Sequence, residues 1–374
     1  MKREQTLFTV LQKIPDPRIE RTKKHLLVDI FIIAICATIC GAETWEEIAE
    51  FGTAKKEWFK TFLQLPNEIP SHDTFRRVFL LVNPKHFQES FLEWIQSIAH
   101  LSKGEIIAID GKQVRGAGNR ADGKEGLRMV SAWATENRLS LGQIRTEAKS
   151  NEIQAIPELL KLLSISGCIV TIDAMGCQKE IAKEIRRQEA DYVLSLKANH
   201  ELFYREVEEY FAWAERVKYK DILHSKYETL EKDHGRIERR RCTAVEDLEW
   251  FTEKDQWAGL RSLVMVESKR EIIGEKVTVE RRYFITSLRA NAKEILKAVR
   301  SHWEVENQLH WCLDVSFRED ACRTREGNAP ENLAVLRHIA LNLLKQEKTC
   351  KLGIKSKRLK AGWDDSYLLK VLEI

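Results

Sequence analysis

Paired cysteines are the first thing this sequence lacks. Its eight cysteines are scattered, with no Cys-x-x-Cys pair, which excludes a zinc knuckle and a secreted disulfide framework. Free thiols are expected, and with them a reducing, cytoplasmic compartment. A charge bias of one sign is also missing. The net charge is only +4, so the overall balance does not by itself identify a nucleic-acid partner. Long hydrophobic runs are nearly absent. Residues 26–42 form the one candidate, but Asp29 interrupts it and the remaining stretch is too short to cross a bilayer. A core helix is expected there, and no membrane association. Residues 1–4 lead into no apolar signal region. No internal repeat or low-complexity segment occurs.

What is present is a chain of 374 residues, 43% hydrophobic and 32% charged, with room for two or three globular domains. Its charge is unevenly placed. Residues 321–374 hold 11 Lys/Arg against 6 Asp/Glu, while residues 1–100 hold 13 of each in local clusters. Residues 1–100 read as helical. Thr44-Trp45-Glu46-Glu47 is a capping box, a second helix is expected over 55–63, and Ser71 is placed to cap a third. Short helices with Arg76 and Arg77 in an early turn are compatible with a helix-turn-helix DNA reader.

The texture changes at Gly104. Residues 105–109 form a short apolar run ending in Asp110-Gly111, a buried strand. Strands over 129–135 and 139–145, a helix over 153–163, a strand over 168–172 ending in Asp173, a helix over 179–188 and a strand over 192–196 follow. Three strands in a meander, then helix, strand, helix, strand, is the order of a ribonuclease-H-like core: a mixed α/β sheet flanked by helices. A β-rich insertion is expected over about 227–288. A long helical stretch then begins near Asn291. The expected domains are 1–100, 101–345 with the insertion, and a basic tail over 346–374.

Asp110 and Asp173 occupy similar settings. Carboxylates at neighbouring strand ends can share a hard divalent cation, which favours oxygen ligands and retains sites for water and phosphate. An Asp at a strand end also commonly caps the next turn, so the metal reading needs a third acid. Glu304, Glu306, Asp314, Glu319 and Asp320 are available. On a continuous helix His302, Glu306, His310 and Asp314 form one stripe, which takes in Glu306 and leaves Glu304 pointing well away. The stripe does not have the His-Glu-x-x-His order of a zinc helix.

Several motifs together resemble the H-repeat-associated insertion-sequence (ISAs-type) transposases, a branch of the DDE transposases. They include Ala108-Ile109-Asp110-Gly111-Lys112, Thr171-Ile172-Asp173-Ala174-Met175-Gly176, Asp233-His234-Gly235-Arg236, and His302-Trp303-Glu304-Val305-Glu306-Asn307 running on to Leu313-Asp314. The likeness spans nearly the whole chain. It implies that Asp110, Asp173 and Glu306 are catalytic and bind Mg²⁺ or Mn²⁺, and that the protein cuts double-stranded DNA at inverted repeats. It further implies 3′-hydroxyl strand transfer into target DNA, as a homodimer or larger assembly, in a bacterial nucleoid setting. The family's usual Tyr, Arg and Lys around the third acid fall here on Val299, His302 and Leu313, so their roles do not carry over.

DNA contact is expected from Lys112 and Arg115 near the scissile phosphate, and from Arg236, Arg239 and Arg240 along a basic strand. His302, Asn307 and His310 are candidates for the phosphate-gripping work, Arg76 and Arg77 for the helical domain. Lys351, Lys355, Lys357, Arg358 and Lys360 form a basic tail segment, and Trp257 or Trp303 is placed to stack on a base. Two rival readings remain open: a catalytically inactive, transposase-derived DNA-binding protein, and a stand-alone metal-dependent nuclease.

Overall fold

A computed structural model describes residues 6–118, 126–146, 152–233, 235–272 and 277–372. The chain opens with six helices: α1 (Leu7–Leu11), α2 (Leu27–Cys40), α3 (Trp45–Ala54), α4 (Lys56–Phe59), α5 (His72–Leu81) and α6 (Pro84–Ile98). Strands β1 (Ile106–Val114), β2 (Leu127–Ala134) and β3 (Leu139–Thr146) follow. Then come α7 (Glu152–Leu162), β4 (Ile169–Ile172), α8 (Lys179–Arg187), β5 (Asp191–Leu196) and α9 (Glu201–Arg216). Four longer strands are β6 (His224–Asp233), β7 (Arg236–Val245), β8 (Ser262–Ile272) and β9 (Thr278–Thr286). The last helices are α10 (Ala292–His302), α11 (Trp311–Ser316), α12 (Ala329–Gln346), α13 (Ile354–Trp363) and α14 (Asp365–Leu372).

The chain divides into two compact units that are discontinuous in sequence, where the sequence reading is linear. The first gathers residues 1–100, 111–149 and 306–374; the second holds 101–110 and 150–305. In the first unit α2 is the central helix. It is apolar on nearly every side, and twelve of its fourteen residues are buried, as expected of a helix packed on all faces. Gly41, at φ +117°, terminates it in the left-handed conformation that glycine adopts without penalty. Asp29, the polar interruption, is buried and accepts the Leu65 N–H at 3.0 Å. α12 and α13 pack on α2, so the basic tail is part of this core. Lys357 and Arg358 are buried, donating to the carbonyls of Leu344 and Thr38 at 2.8 and 2.9 Å. Among the described residues no single helix is long and apolar enough to cross a membrane.

Strand neighbours in the first unit run β3-β2-β1, with β2 and β3 antiparallel. In the second unit they run β1-β4-β5-β9-β8-β7-β6. β1, β4 and β5 are parallel, β9 joins β5 antiparallel, and β6 to β9 continue as an antiparallel meander. This is the mixed sheet of a ribonuclease-H-like fold. The β-rich insertion extends that sheet. Val193, Val264, Phe284, Ile295 and Leu296 share one apolar cluster beneath α10. β7 therefore lies inside the sheet, between β6 and β8. Two other expectations change: α4 is a single turn rather than a helix over 55–63, and β1 runs on through Val114 instead of ending at Asp110.

Candidate active site

In the second unit, Ile106–Ile109 of β1 are paired in register with Ile169–Ile172 of β4, all eight side chains aligned along two parallel strands. Asp110 and Asp173 are each the next residue after the paired Ile109 and Ile172. The sequence pattern of apolar strand then acid thus sets one carboxylate directly after each of two paired parallel stretches, Asp110 within β1 and Asp173 just past the end of β4. Asp110 is half-buried and Asp173 exposed.

Asp173 is held by the chain around it. Its Oδ1 accepts the N–H groups of Met175 at 3.1 Å and Gly176 at 3.4 Å, capping the short turn Ala174–Gly176. The capping role and a ligand role are compatible, because among the described residues both hydrogen bonds fall on the one oxygen Oδ1. Gly176 is required by space: a Cβ there would meet Ile172 Cγ2 at 2.2 Å. The turn is clamped from the end of β5, where Asn199 Nδ2 donates to the Ala174 carbonyl at 2.7 Å. His200 Nε2 donates to the Cys177 carbonyl at 2.6 Å. Neither residue stood out in the sequence, because a clamp made to backbone carbonyls leaves no motif.

His302, at the end of α10, lies with Nδ1 3.1 Å from Thr171 Oγ1, two residues before Asp173 on β4. Burial holds its imidazole below the usual histidine value, against the pull of Asp173 and of Thr171. A histidine engaged with Thr171 of β4, its protonation opposed by burial, is a different arrangement from a phosphate-gripping cation. The expected His302, Glu306, His310, Asp314 stripe also changes. α10 ends at His302, residues Val305–His310 form a π-helical turn, and α11 begins at Trp311. The extra residue of that turn resets the phase of the faces.

Glu306, in the first unit, is exposed on this π turn, and desolvation lifts its pKa above the usual glutamate value. Asn307 is exposed and His310 half-buried beside it. Val305 and Leu309 are fully buried, as the apolar anchors of that turn. Lys112 donates to Asp314 Oδ1 and, at 2.7 Å, to Glu319 Oε2. Burial opposes its charge, yet Glu319 and Asp314 hold its ammonium above the usual lysine value. Its cation is thus already answered by two carboxylates. Arg115 has an exposed side chain, and its backbone N–H donates to Asp320 Oδ1 at 3.1 Å. Arg76 is exposed and pairs with Glu326, while Arg77 is exposed on the same helix.

On β7 in the second unit, Gly235 makes the tight turn from β6 at φ +74°; His234 lies outside the described residues. Arg236 and Arg240 share one face as expected, with the buried Glu238 between them. Arg240 is bound to Glu231 at 2.9 Å and Glu238 at 2.7 Å, and Arg239 lies 3.5 Å from Glu228. Trp257 is buried, which removes it as a stacking platform. Trp303 is 43% exposed, with the Arg282 guanidinium 5.4 Å from its ring.

Among the described residues, no group of three His, Cys, Asp or Glu side chains forms a ready metal cage. The donor chemistry of the second unit nevertheless fits a hard divalent cation: two carboxylates that follow paired stretches of adjacent parallel strands, one of them using a single oxygen among the described residues.

Residues 101–343 match the family described as "Transposase DDE domain", and residues 8–95 match one described as DDE_Tnp_1-associated. "Putative transposase YncI" of Escherichia coli O157:H7 is 42% identical over 371 residues, 98% of this chain and 94% of the relative. "H repeat-associated putative transposase YhhI" of Escherichia coli K12 is 41% identical over 367 residues, 96% of this chain and 95% of the relative. Among solved structures, a piggyBac transposase synaptic complex with hairpin DNA aligns over 98% of this chain and 81% of that one. Its TM-score is 0.47 and its identity 11%, too distant to carry an argument. By the match of its catalytic region and the near full-length likeness to these relatives, the chain belongs to the DDE transposase family.

Proposed function

We propose that the protein is the DNA transposase of a bacterial insertion sequence, cutting at the inverted-repeat ends and joining the freed 3′-hydroxyl to target DNA. The observation that carries the reading is the pair Asp110 and Asp173, the residues that directly follow the paired Ile109 and Ile172 of parallel β1 and β4, within a matched transposase DDE domain. Asp110, Asp173 and Glu306 are the proposed ligands of a divalent cation, Mg²⁺ by preference and Mn²⁺ as a substitute. Such a cation supplies Lewis acidity to the phosphoryl oxygens and lowers the pKa of the attacking hydroxyl. The place of Glu306 in this set rests on its sequence motif.

The chain's own contribution is positioning. Asp173 is anchored by two backbone N–H groups, and its turn is fixed by Gly176 packing and by Asn199 and His200, so its other oxygen costs little to orient. Arg115 and Asn307, both exposed, are proposed to meet the DNA backbone near the cut. Arg76 and Arg77 on α5 are proposed to meet it in the helical region. Pairing of two transposon ends implies at least a dimer on DNA.

The test is strand cleavage of a fragment carrying the inverted repeats, in Mg²⁺, by wild type and Asp110→Asn. The variant is expected to lose cleavage by about a hundred- to a thousandfold, in line with removal of an electrostatic catalytic group, while binding the same fragment with little change. Wild-type rates from Asp110→Asn would overturn the assignment. A wild-type protein that cuts without regard to the repeats and gives no joined product would point to a stand-alone nuclease.

A further inference from the structure

Within the first unit, the π turn, α11, the end of α12 and the start of α13 enclose a cavity of about 490 Å³. Its walls carry Arg138, Lys345, Lys348, Lys351 and Lys355, together with Trp311, which is 57% exposed. Arg138, Lys351 and Lys355 are exposed, and among the described residues none of the three is in an ion pair. Glu347 is the one carboxylate in the lining. It is already occupied, accepting the Cys350 N–H at 3.1 Å and the Tyr367 hydroxyl at 2.9 Å, with Lys357 3.7 Å away.

Cations gathered this closely repel one another. Burial and the neighbouring cations Arg138, Lys348 and Lys357 hold Lys345 below its usual pKa; burial, Arg138, Lys357 and Lys351 do the same for Lys348. The cavity therefore has an uncompensated positive field that a bound anion would relieve. A second feature has the same sign. Gly353, Ile354 and Lys355 in the lining are the N-terminus of the ten-residue α13, which has no side-chain cap and no acidic residue in its first turn. Its unpaired N–H groups and dipole favour a phosphate. Trp311 adds a flat apolar face beside these charges, the combination that binds an unstacked nucleotide.

We infer that this groove binds a single DNA strand, its phosphodiesters along Arg138, Lys351, Lys355 and the start of α13, and one base against Trp311. Asn307 and Gln308 of the π turn also line the groove, directly after Glu306 in the chain. A strand held here is held next to the residue proposed as the third acid. The inference deepens the transposase reading and rests on it only for the identity of the polyanion as DNA. It also revises the basic tail segment: Lys351 and Lys355 are available, while Lys357 and Arg358 are buried and Lys360 stacks on Tyr367.

The experiment is fluorescence anisotropy with a short labelled oligonucleotide, single-stranded or as a duplex, in EDTA so that no cleavage intervenes. Trp311→Ala is expected to weaken single-strand binding about tenfold, the size of one lost base stack, and to leave duplex binding unchanged. Trp311→Phe, which keeps a ring, restores most of the affinity. Lys351→Glu with Lys355→Glu is expected to weaken single-strand binding and lower its salt slope by about 1.4. Single-strand binding unchanged in these variants would overturn the groove, as would an equal loss on duplex from Trp311→Ala. The catalytic reading fails separately, if Asp110→Asn still cuts.

Discussion

Around Glu319 the first unit buries an unusual amount of charge in one place. Lys112 lies 2.7 Å from its Oε2 and Arg337 3.7 Å from Oε1, and these cations hold the carboxyl below its usual range although burial alone would raise it. His338 is buried close by, with Nδ1 2.6 Å from Ser140 Oγ. Burial depresses His338 to about 4, against the pull of Glu319 and with the push of Lys112 and Arg337. The unfolded chain takes up this proton near pH 6.5, whereas the folded chain refuses it until about pH 4. Stability should therefore fall as pH drops from about 6.5 to 4, by up to about 3 kcal/mol from this residue. Urea unfolding across that range checks it, and His338→Gln should flatten the slope. Gly176→Ala is a second prediction at this scale. The 2.2 Å approach to Ile172 forces a shift costing about 1–3 kcal/mol, seen as a lower Tm together with reduced cleavage as the Asp173 turn moves. The two aspartates were legible because each follows an apolar strand. The engagement of Lys112 was not, because its partners lie some two hundred positions downstream.

Capping chemistry is local, and at the scale of elements it reads directly. Thr44 Oγ1 accepts the Glu47 N–H at 3.2 Å, and Glu47 Oε2 accepts the Thr44 N–H at 3.2 Å, completing the box at the start of α3. Thr44→Ala should cost about 1 kcal/mol, measurable by thermal unfolding. Periodicity over 302–314 misled for an equally local reason. A π turn inserts one residue into the helical count, and the sequence carries no sign of it. The β-rich region was visible from its alternation, but its pairing partner was not. β9 joins β5 through Val193 to Leu196 and Tyr283 to Thr286, a choice made by buried faces far apart in the chain. The interior position of β7 explains why its arginines face glutamates on β6 and on β7 itself.

For the molecule as a whole, composition set the class and the order of elements gave the core. The division into units was less legible, since it depends on which distant segments share a hydrophobic surface. α2 is covered by α12 and α13, and Asn332 of α12 donates to the carbonyls of Phe79 and Val82 at 2.8 and 2.9 Å. A fragment of residues 1–100 is therefore expected to lack cooperative unfolding and to bind an apolar dye, although it coincides with a domain in the linear reading. A sharp two-state transition in that fragment would contradict this. The same arrangement governs how the protein is born. At about 5–20 residues per second, α2 leaves the ribosome roughly 15–60 s before the helices that cover it. Until then only the neighbouring helices of its own region, α1 and α3 among them, cover this greasy rod. A message cut short before α12 is expected to yield a chain with part of α2 bare, prone to aggregation or degradation, rather than a free-standing DNA-binding fragment.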